Sequence, residues 1–210
     1  MQEFRTEHPE QYKKRALQWA SLCDTACYFD SNSYPDPYSA FDVLIAAGAK
    51  TEVRAPAGRA FRGLEEFLAH SQGYRLGFFG YDLKNETEKL VSGNPDNLNF
   101  PDLYFFEPVH LIIIKGTSVR ISSPDAAAVH RHMLDGPEPV YRESRAELRA
   151  RISPEEYIGT VEKIRDHIRK GDVYEVTFCQ EFFSEETRVD PVSLFLELNS
   201  ASPTPFANFF

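Results

Sequence analysis

The clearest pattern of apolar and polar positions predicts a helix from Pro154 to Lys170. Apolar side chains recur on one face of it at spacings of four, three and four residues: Tyr157, Val161, Ile164 and Ile168. Ser153 and Glu156 have the spacing of a capping box, and Pro154 suits the first helical position. Gly171 stands where a left-handed C-terminal residue is needed, so both ends of the helix are predicted.

The segment after this helix alternates between two faces, which predicts a strand over 172–182. Tyr174, Val176 and Phe178 fall on one face and Glu175 on the other. Asp190 followed by Pro191 then predicts a second, shorter helix that ends before the Pro-rich segment 202–205. The last residues, 206–210, are apolar and predict a strand.

The first half of the chain has weaker patterns and is predicted to be β-rich. A polar, Pro-rich segment over 30–37 indicates a loop. The predicted elements are a helix over 9–22, strands over 26–29, 39–49, 74–81 and 102–114, a helix over 63–70 with Leu64, Phe67 and Leu68 inward, and a hairpin turn at 115–118 leading to 119–121.

These elements predict an α+β fold in which antiparallel β-sheets are flanked by helices. The domain organisation follows from the change to Ala, Arg, Glu and His after residue 122. We expect an amino-terminal β-rich subdomain over 1–122 and a connecting helix and linker over 123–152. The remaining segment, 153–210, is expected to begin a further domain that is incomplete.

Composition and charge narrow the class of protein. With 42% hydrophobic residues and 17 Phe, the chain has ample material for a packed core. The net charge of −9 disfavours nucleic acid as a partner. The strongest apolar run, Leu111–Ile114, is too short for a membrane span, and three cysteines without paired spacing indicate reduced thiols. We therefore expect a cytoplasmic protein that is neither exported nor inserted in a membrane.

Three segments in order carry a resemblance to a known family. Gly77–Leu83 is a glycine- and tyrosine-containing strand and turn, Gly171–Val176 resembles the pattern G-[DE]-x-[FY]-Q-V, and Ser202–Ala207 is similar to N-P-S-P-Y-M. Together they resemble component I of anthranilate synthase and aminodeoxychorismate synthase, the chorismate-using family. The third segment departs from the pattern, because Ser202 replaces Asn and Ala207 replaces Met.

The resemblance implies a fold of the anthranilate synthase component I type, roughly twice as long as this chain. The implied reaction is amination of chorismate by ammonia from a glutamine amidotransferase subunit, with Mg²⁺ bridging the substrate to protein carboxylates. Those ligands are expected beyond Phe210, so no metal ligand is assigned here. We expect the chain to be the truncated front part of an enzyme and to be inactive alone. The alternative is a natural C-terminus whose last strand docks into a sheet.

Glu175 is the candidate catalytic residue that the resemblance supplies. Its position is Lys in water-adding relatives and Gln in many ammonia-using relatives, so Glu departs from both. A carboxylate accepts hydrogen bonds and is able to orient or deprotonate an incoming amine. The competing interpretation is an ordinary polar residue on one face of a strand.

An effector site is the second implication of the resemblance. Asp30 and Ser31 resemble the Glu-Ser of the family's early loop, and Pro205, Phe206 and Ala207 align with its Pro-Tyr-Met. In anthranilate synthases these segments form a tryptophan pocket that serves feedback inhibition. The competing interpretation is a turn in the first segment and a Pro-rich strand entry in the second.

Two hypotheses about function, from different classes, therefore remain open. The first is the front part of an aminodeoxychorismate synthase component I, acting in the para-aminobenzoate and folate pathway, with anthranilate synthase component I as its close alternative. The changes at Asp30 and Glu175 favour the aminobenzoate branch. The second is an effector-binding module without enzyme activity.

Overall fold

The computed structural model of the chain describes residues 1–91, 93, 96–137, 139–142, 146–185 and 187–210. Contacts divide it into two compact units: the first unit is 1–140 with 195–210, and the second unit is 141–194. The strands are β1 (Gln2–Arg5), β2 (Ala26–Asp30), β3 (Val43–Ala55), β4 (Leu76–Phe79), β5 (Leu103–Lys115), β6 (Ser118–Ser122), β7 (Arg149–Ala150), β8 (Phe182–Phe183) and β9 (Ala207–Phe209). The helices are α1 (Pro9–Ala20), α2 (Ala60–His70), α3 (Lys84–Thr87), α4 (Ala126–Asp135), α5 (Pro154–Lys170) and α6 (Pro191–Ala201).

An antiparallel sheet organises the first unit. Among the described residues it has seven strands in the order β1-β6-β5-β3-β2-β9, with β4 also paired to β5. The long strand β5 has β3 on one side, and on the other side β4 pairs with its first residues and β6 with its last. The predicted α+β fold, with an antiparallel sheet and flanking helices, is confirmed.

Both faces of the first part of the central strand β3, Val43 to Ala47, are buried. Leu44 and Ala46 point into an apolar cluster that includes Phe106 and Ile113. The alternate residues, such as Ala47, face the other way, because successive side chains of a strand point to opposite faces. There α1 covers the sheet, since the Trp19 ring lies 5.2 Å from the ring of His110, which pairs with Ala47.

Most of the predicted elements of the first unit are present with shifted ends. The hairpin between β5 and β6 turns at Gly116, whose φ of +56° suits glycine. The strand predicted over 39–49 begins instead at Val43 and continues to Ala55. One inward prediction for α2 is wrong: Phe67 is buried, but the Leu68 side chain is 43% exposed.

The second unit contains α5 with the predicted boundaries and caps. The Ser153 hydroxyl accepts from the Glu156 N–H at 3.2 Å, and the Glu156 carboxylate accepts from the Ser153 N–H at 2.9 Å. Gly171 has a φ of +81° and ends the helix as predicted. No residue of α5 is fully buried within the described chain, so its apolar stripe stays partly exposed.

The strand predicted over 172–182 is wrong. Residues 172–181 have no regular secondary structure, and only Phe182–Phe183 forms a strand, paired with Arg149–Ala150. Alternation fits a strand, but a strand also needs a neighbour to accept and donate its backbone hydrogen bonds. Among the described residues, 172–180 pairs with no neighbouring strand, and only Glu181, beside β8, accepts a backbone hydrogen bond from Arg151.

The apolar end of the chain is a strand, as predicted, and it has a partner. β9 pairs antiparallel with β2, placing Asn208 opposite Phe29. The Phe210 ring packs edge-on against Tyr104 at 5.6 Å and Phe78 at 5.1 Å. Residues 195–210 therefore lie with the first unit, whereas the sequence-based division grouped them with 153–194.

Two general features of the chain complete the fold. Within the described residues, no helix is both long and apolar enough to cross a membrane.

Cys23, Cys27 and Cys179 are all free thiols. Burial raises the pKa of Cys27 to about 12, so this side chain behaves as a packed thiol.

Candidate functional site

A cavity of about 640 Å³ lies where the end of β2 meets the start of β9. Its lining includes all of the residues predicted for an effector site: Asp30, Ser31, Pro205, Phe206 and Ala207. The pairing of β2 with β9 brings the two segments together, since Asp30 lies directly opposite Ala207 in the register. The predicted residues therefore share one site, while their role in binding an effector stays a prediction.

Asp30 is buried at the edge of the cavity and has several donors around its carboxylate. Oδ2 accepts from the Tyr28 hydroxyl at 2.7 Å and lies 3.2 Å from Nζ of Lys13. Oδ1 accepts from the backbone N–H of Asn32 at 2.8 Å. The carboxylate is thus held by neighbouring groups, which offset the cost of burying a charge.

The groups around Asp30 have shifted ionisation. Burial, and next the charge of Asp30, raise the pKa of Tyr28 well above its ordinary value, so the hydroxyl stays a donor. Burial by itself lowers the pKa of Lys13. Hydrogen bonds and attraction to Glu10 and Asp30 together outweigh that effect, and the pKa of Lys13 lies above its usual value. Lys13 therefore keeps its positive charge at neutral pH.

Ser31 contributes a buried polar atom to the cavity lining. Its backbone N–H donates to the carbonyl of Asp42 at 2.9 Å, which fixes the turn after β2. Its hydroxyl oxygen is buried and has no hydrogen-bond partner among the described residues. A buried hydroxyl without a partner is costly, so a ligand that supplies one would be stabilised there.

The loop after β2 is held in an uncommon backbone conformation. Asn32 and Ser33 have φ angles of +49° and +60°, a region that Asn tolerates better than most residues. The side-chain amides of Asn32 and Asn199 donate to each other at 2.8 and 2.9 Å. Asn32 Nδ2 also donates to the carbonyl of Thr204 at 2.7 Å. These bonds tie the cavity loop to the segment that leads into β9.

Four aromatic residues of the described chain contribute to the walls of the cavity. Phe29 and Phe41 are partly buried and pack against the apolar cluster of the sheet, whereas the Phe206 side chain is 84% exposed. Tyr34 and Asp36 complete the wall formed by the loop. A concave site with apolar walls and a few polar groups suits a small aromatic ligand.

Sequence reasoning missed several residues of this site. Lys13 lies on α1 and Asn199 on α6, and neither position has a local signal that points to Asp30 or Asn32. The Asn32–Asn199 pair is separated by 167 residues along the chain. An Asp-Ser-Asn-Ser turn sequence was the only available hint, because Asn is common where φ is positive.

Glu175, the candidate catalytic residue, lies in the second unit. Its side chain is exposed, and the segment around it is not the strand that its predicted role assumed. The position of Glu175 on a strand is therefore wrong, and its catalytic role stays a prediction. Within the described residues, no group of three or more His, Cys, Asp or Glu side chains could hold a metal ion. The described residues therefore offer no site of this kind for the Mg²⁺ that the family resemblance implies, and this cofactor stays a prediction.

Comparison with known proteins identifies the family. Residues 24–210 match the family described as chorismate binding enzyme. The chain belongs to this family. Its fold agrees, because the crystal structure of anthranilate synthase component I from Streptococcus pneumoniae TIGR4 superposes with a TM-score of 0.60 at 20% identity. That match covers 81% of this chain and 47% of the other.

Curated relatives of this chain include two kinds of synthase component. Anthranilate synthase component 1 of Thermus thermophilus is 31% identical over an alignment 187 positions long, which covers 80% of this chain and 40% of the relative. Aminodeoxychorismate synthase component 1 of Escherichia coli is 24% identical over an alignment 224 positions long, which covers 92% of this chain and 48% of the relative. The chain therefore spans less than half the length of these relatives.

Proposed function

We propose that this chain belongs to a chorismate-aminating synthase, and that its product is aminodeoxychorismate. The observation that carries the proposal is the family match over residues 24–210. The alignment with the Escherichia coli aminodeoxychorismate synthase component 1 reaches 92% of the chain. The proposed reaction replaces a hydroxyl of chorismate by an amino group, with ammonia from a glutamine amidotransferase partner and Mg²⁺ as the cofactor of the complete enzyme.

Anthranilate synthase component I is the second candidate function. Its support is the relative from Thermus thermophilus, which has the higher identity, 31% over 80% of this chain. The two products differ in the ring position that receives the amine and in whether pyruvate is lost. Asp30 and Glu175, which depart from the family patterns, favour the aminodeoxychorismate branch.

We also propose that the cavity between β2 and β9 is an effector site. Support comes from the juxtaposition of Asp30 and Ala207, from the aromatic walls and from the buried hydroxyl of Ser31. Tryptophan is the effector that the family resemblance implies. An effector-binding module without catalysis would have the same cavity, so activity has to be tested separately. Glu175 remains the candidate for accepting a hydrogen bond from the incoming amine.

Disruption of the coding gene in its host tests the reaction. A growth requirement relieved by para-aminobenzoate supports the aminodeoxychorismate product, and one relieved by tryptophan supports the anthranilate product. Re-expression of the intact gene should restore growth in either case. A disrupted strain that grows without supplement and retains both products contradicts a chorismate-aminating role.

A direct assay complements the genetic test. The purified 210-residue chain, given chorismate, ammonium and Mg²⁺, is expected to form neither product. Turnover by this chain would contradict the expectation that part of the active site lies beyond Phe210. Calorimetry with tryptophan on the same sample tests the effector cavity independently of catalysis.

A further inference from the structure

The charges on the cavity wall are of one sign. The formally charged side chains among the described lining residues are Asp30 and Asp36, and no Lys, Arg or His is among them. Carboxylates in a partly enclosed, aromatic-walled site favour a bound cation and disfavour a bound anion. The charged groups of the lining would therefore favour a cationic ligand over an anionic one.

Asp30 is not available as the partner of a bound cation. Its carboxylate already receives Tyr28, the backbone N–H of Asn32 and the ammonium of Lys13. The ion pair with Lys13 compensates its charge. A ligand would have to displace one of these donors to reach it, and a buried carboxylate does not gain from exchanging one ammonium for another.

Asp36, in contrast, has an exposed carboxylate with acceptor sites left for a ligand. It is exposed, it lines the cavity, and its Oδ1 accepts the backbone N–H of Tyr38 at 2.9 Å. An ionised carboxylate has about four acceptor sites, so most of its capacity remains for a ligand. The Ser31 hydroxyl, buried in the lining of the same cavity without a partner among the described residues, supplies a neutral acceptor.

We propose that the cavity binds an aromatic primary amine without a carboxylate, with Asp36 as its counter-ion and the Ser31 hydroxyl as a second acceptor for the ammonium. The ring packs between Phe29, Phe41 and Phe206. This rests on the proposed effector site and refines it: the site recognises the amine, and an amino acid binds less well because no side-chain cation in the lining holds its carboxylate.

Calorimetry with three indole ligands tests the proposal on the unmodified chain. Tryptamine carries only the amine, tryptophan carries the amine and the carboxylate, and indole-3-propionate carries only the carboxylate. We expect tryptamine to bind about fivefold more tightly than tryptophan, and indole-3-propionate to bind most weakly. Raising the salt concentration from about 0.05 M to about 0.5 M should weaken tryptamine binding, because the ion pair with Asp36 is exposed.

Two substitutions test whether Asp36 is the residue that strengthens tryptamine binding. Asp36→Asn should weaken tryptamine about threefold to fivefold and bring its affinity close to that of tryptophan. Asp135→Asn removes the same charge from an exposed position at the end of α4, outside the cavity, and should leave both affinities unchanged. Melting curves establish that both variants are folded.

The outcomes separate the two proposals. If none of the indoles binds, the effector site itself is wrong. If tryptophan binds as tightly as tryptamine or more tightly, the cavity is an effector site but the recognition of a carboxylate-free amine is overturned. The comparison of tryptophan with tryptamine uses only the unmodified chain, so it tests the preference for a carboxylate-free amine even if Asp36→Asn does not fold. An equal loss of tryptamine affinity in Asp36→Asn and Asp135→Asn also contradicts the role of Asp36.

Discussion

The side-chain amides of Asn32 and Asn199 form a reciprocal pair, each donating to the carbonyl oxygen of the other at 2.8 and 2.9 Å. Asn32 belongs to the loop after β2, and Asn199 belongs to the last turns of α6. The pair joins two segments of the first unit that are 167 residues apart along the chain. It holds the two segments whose approach forms the cavity.

Removal of this pair should loosen the cavity loop. Asn199→Ala should lower the free energy of unfolding by about 1–2 kcal/mol, since the amide of Asn32 loses its partner. Asn32→Ala should cost more, because it also loses the bond to Thr204 and places Ala at a φ of +49°. Chemical denaturation followed by circular dichroism measures both, and exposed Asn97→Ala serves as the control.

A double-mutant cycle distinguishes the pair from two independent effects. If the amides stabilise each other, the combined Asn32→Ala and Asn199→Ala variant should lose about 1 kcal/mol less than the sum of the single variants. Strict additivity would show that the reciprocal pair contributes nothing to stability.

The ion pair between Lys13 and Asp30 should matter more than an exposed pair. Their side chains are 14% and 3% exposed, so Lys13→Met leaves a buried carboxylate without its cation. We expect a loss of about 3 kcal/mol in the free energy of unfolding. Lys14→Met, an exposed neighbour on α1, should change stability by less than about 0.5 kcal/mol.

Neutralising the partner should rescue the Lys13 variant. In an Asp30→Asn background, Lys13→Met should cost clearly less, because no charge is then left buried. An unchanged cost in that background would mean that Lys13 stabilises α1 through packing of its aliphatic stem.

Acidification should destabilise the first unit through His130. This side chain is buried, stacks on Phe4 and shares a hydrogen bond with the Tyr12 hydroxyl, which lies 3.0 Å from Nδ1. Burial lowers its pKa below the unfolded value of about 6.5. The unfolded state therefore binds more protons once the pH falls below about 6.5, and stability declines until the folded-state pKa is reached.

The slope of stability against pH is the measurement that checks this. A single titrating group contributes at most about 1.4 kcal/mol per pH unit to this slope. Burial also lowers the pKa of His110, so His110 adds to the slope in the same direction. His130→Gln should reduce the slope below about pH 6.5, and His132→Gln, an exposed residue of the same helix, should not. Equal slopes in the two variants would contradict a role for His130.

Gly77 on β4 should not tolerate a side chain. A Cβ at this position would overlap the carbonyl oxygen of Tyr104 and lie 2.6 Å from Cα of Phe105, so backbone would have to move. We expect Gly77→Ala to cost about 2–4 kcal/mol. Gly159→Ala, in α5 with open space around it, should be neutral or stabilise by about 0.5–1 kcal/mol. Thermal unfolding compares the two, and a mild effect at Gly77 would contradict the close approach of β4 and β5.

Elements fixed by neighbouring residues were predictable from the sequence. The cap of α5 depends on Ser153 and Glu156, three positions apart, and its end depends on Gly171, so local hydrogen bonds determine both boundaries. The hairpin of β5 and β6 was predictable for the same reason. The segment 172–181 has an equally regular pattern and is not a strand, because pairing requires a neighbour that a pattern does not provide.

By itself the sequence determined that Asp30, Ser31 and 205–207 approach each other, through the family resemblance of these segments, and it determined the α+β class. Only the tertiary structure decided that β9 pairs with β2, which sets Ala207 opposite Asp30, and that Lys13 compensates the charge of that carboxylate. Contacts between distant segments depend on how the whole sheet packs. The spacing of residues along the chain does not predict that packing, because any segment with a compatible apolar pattern is able to pair with the same edge of the sheet.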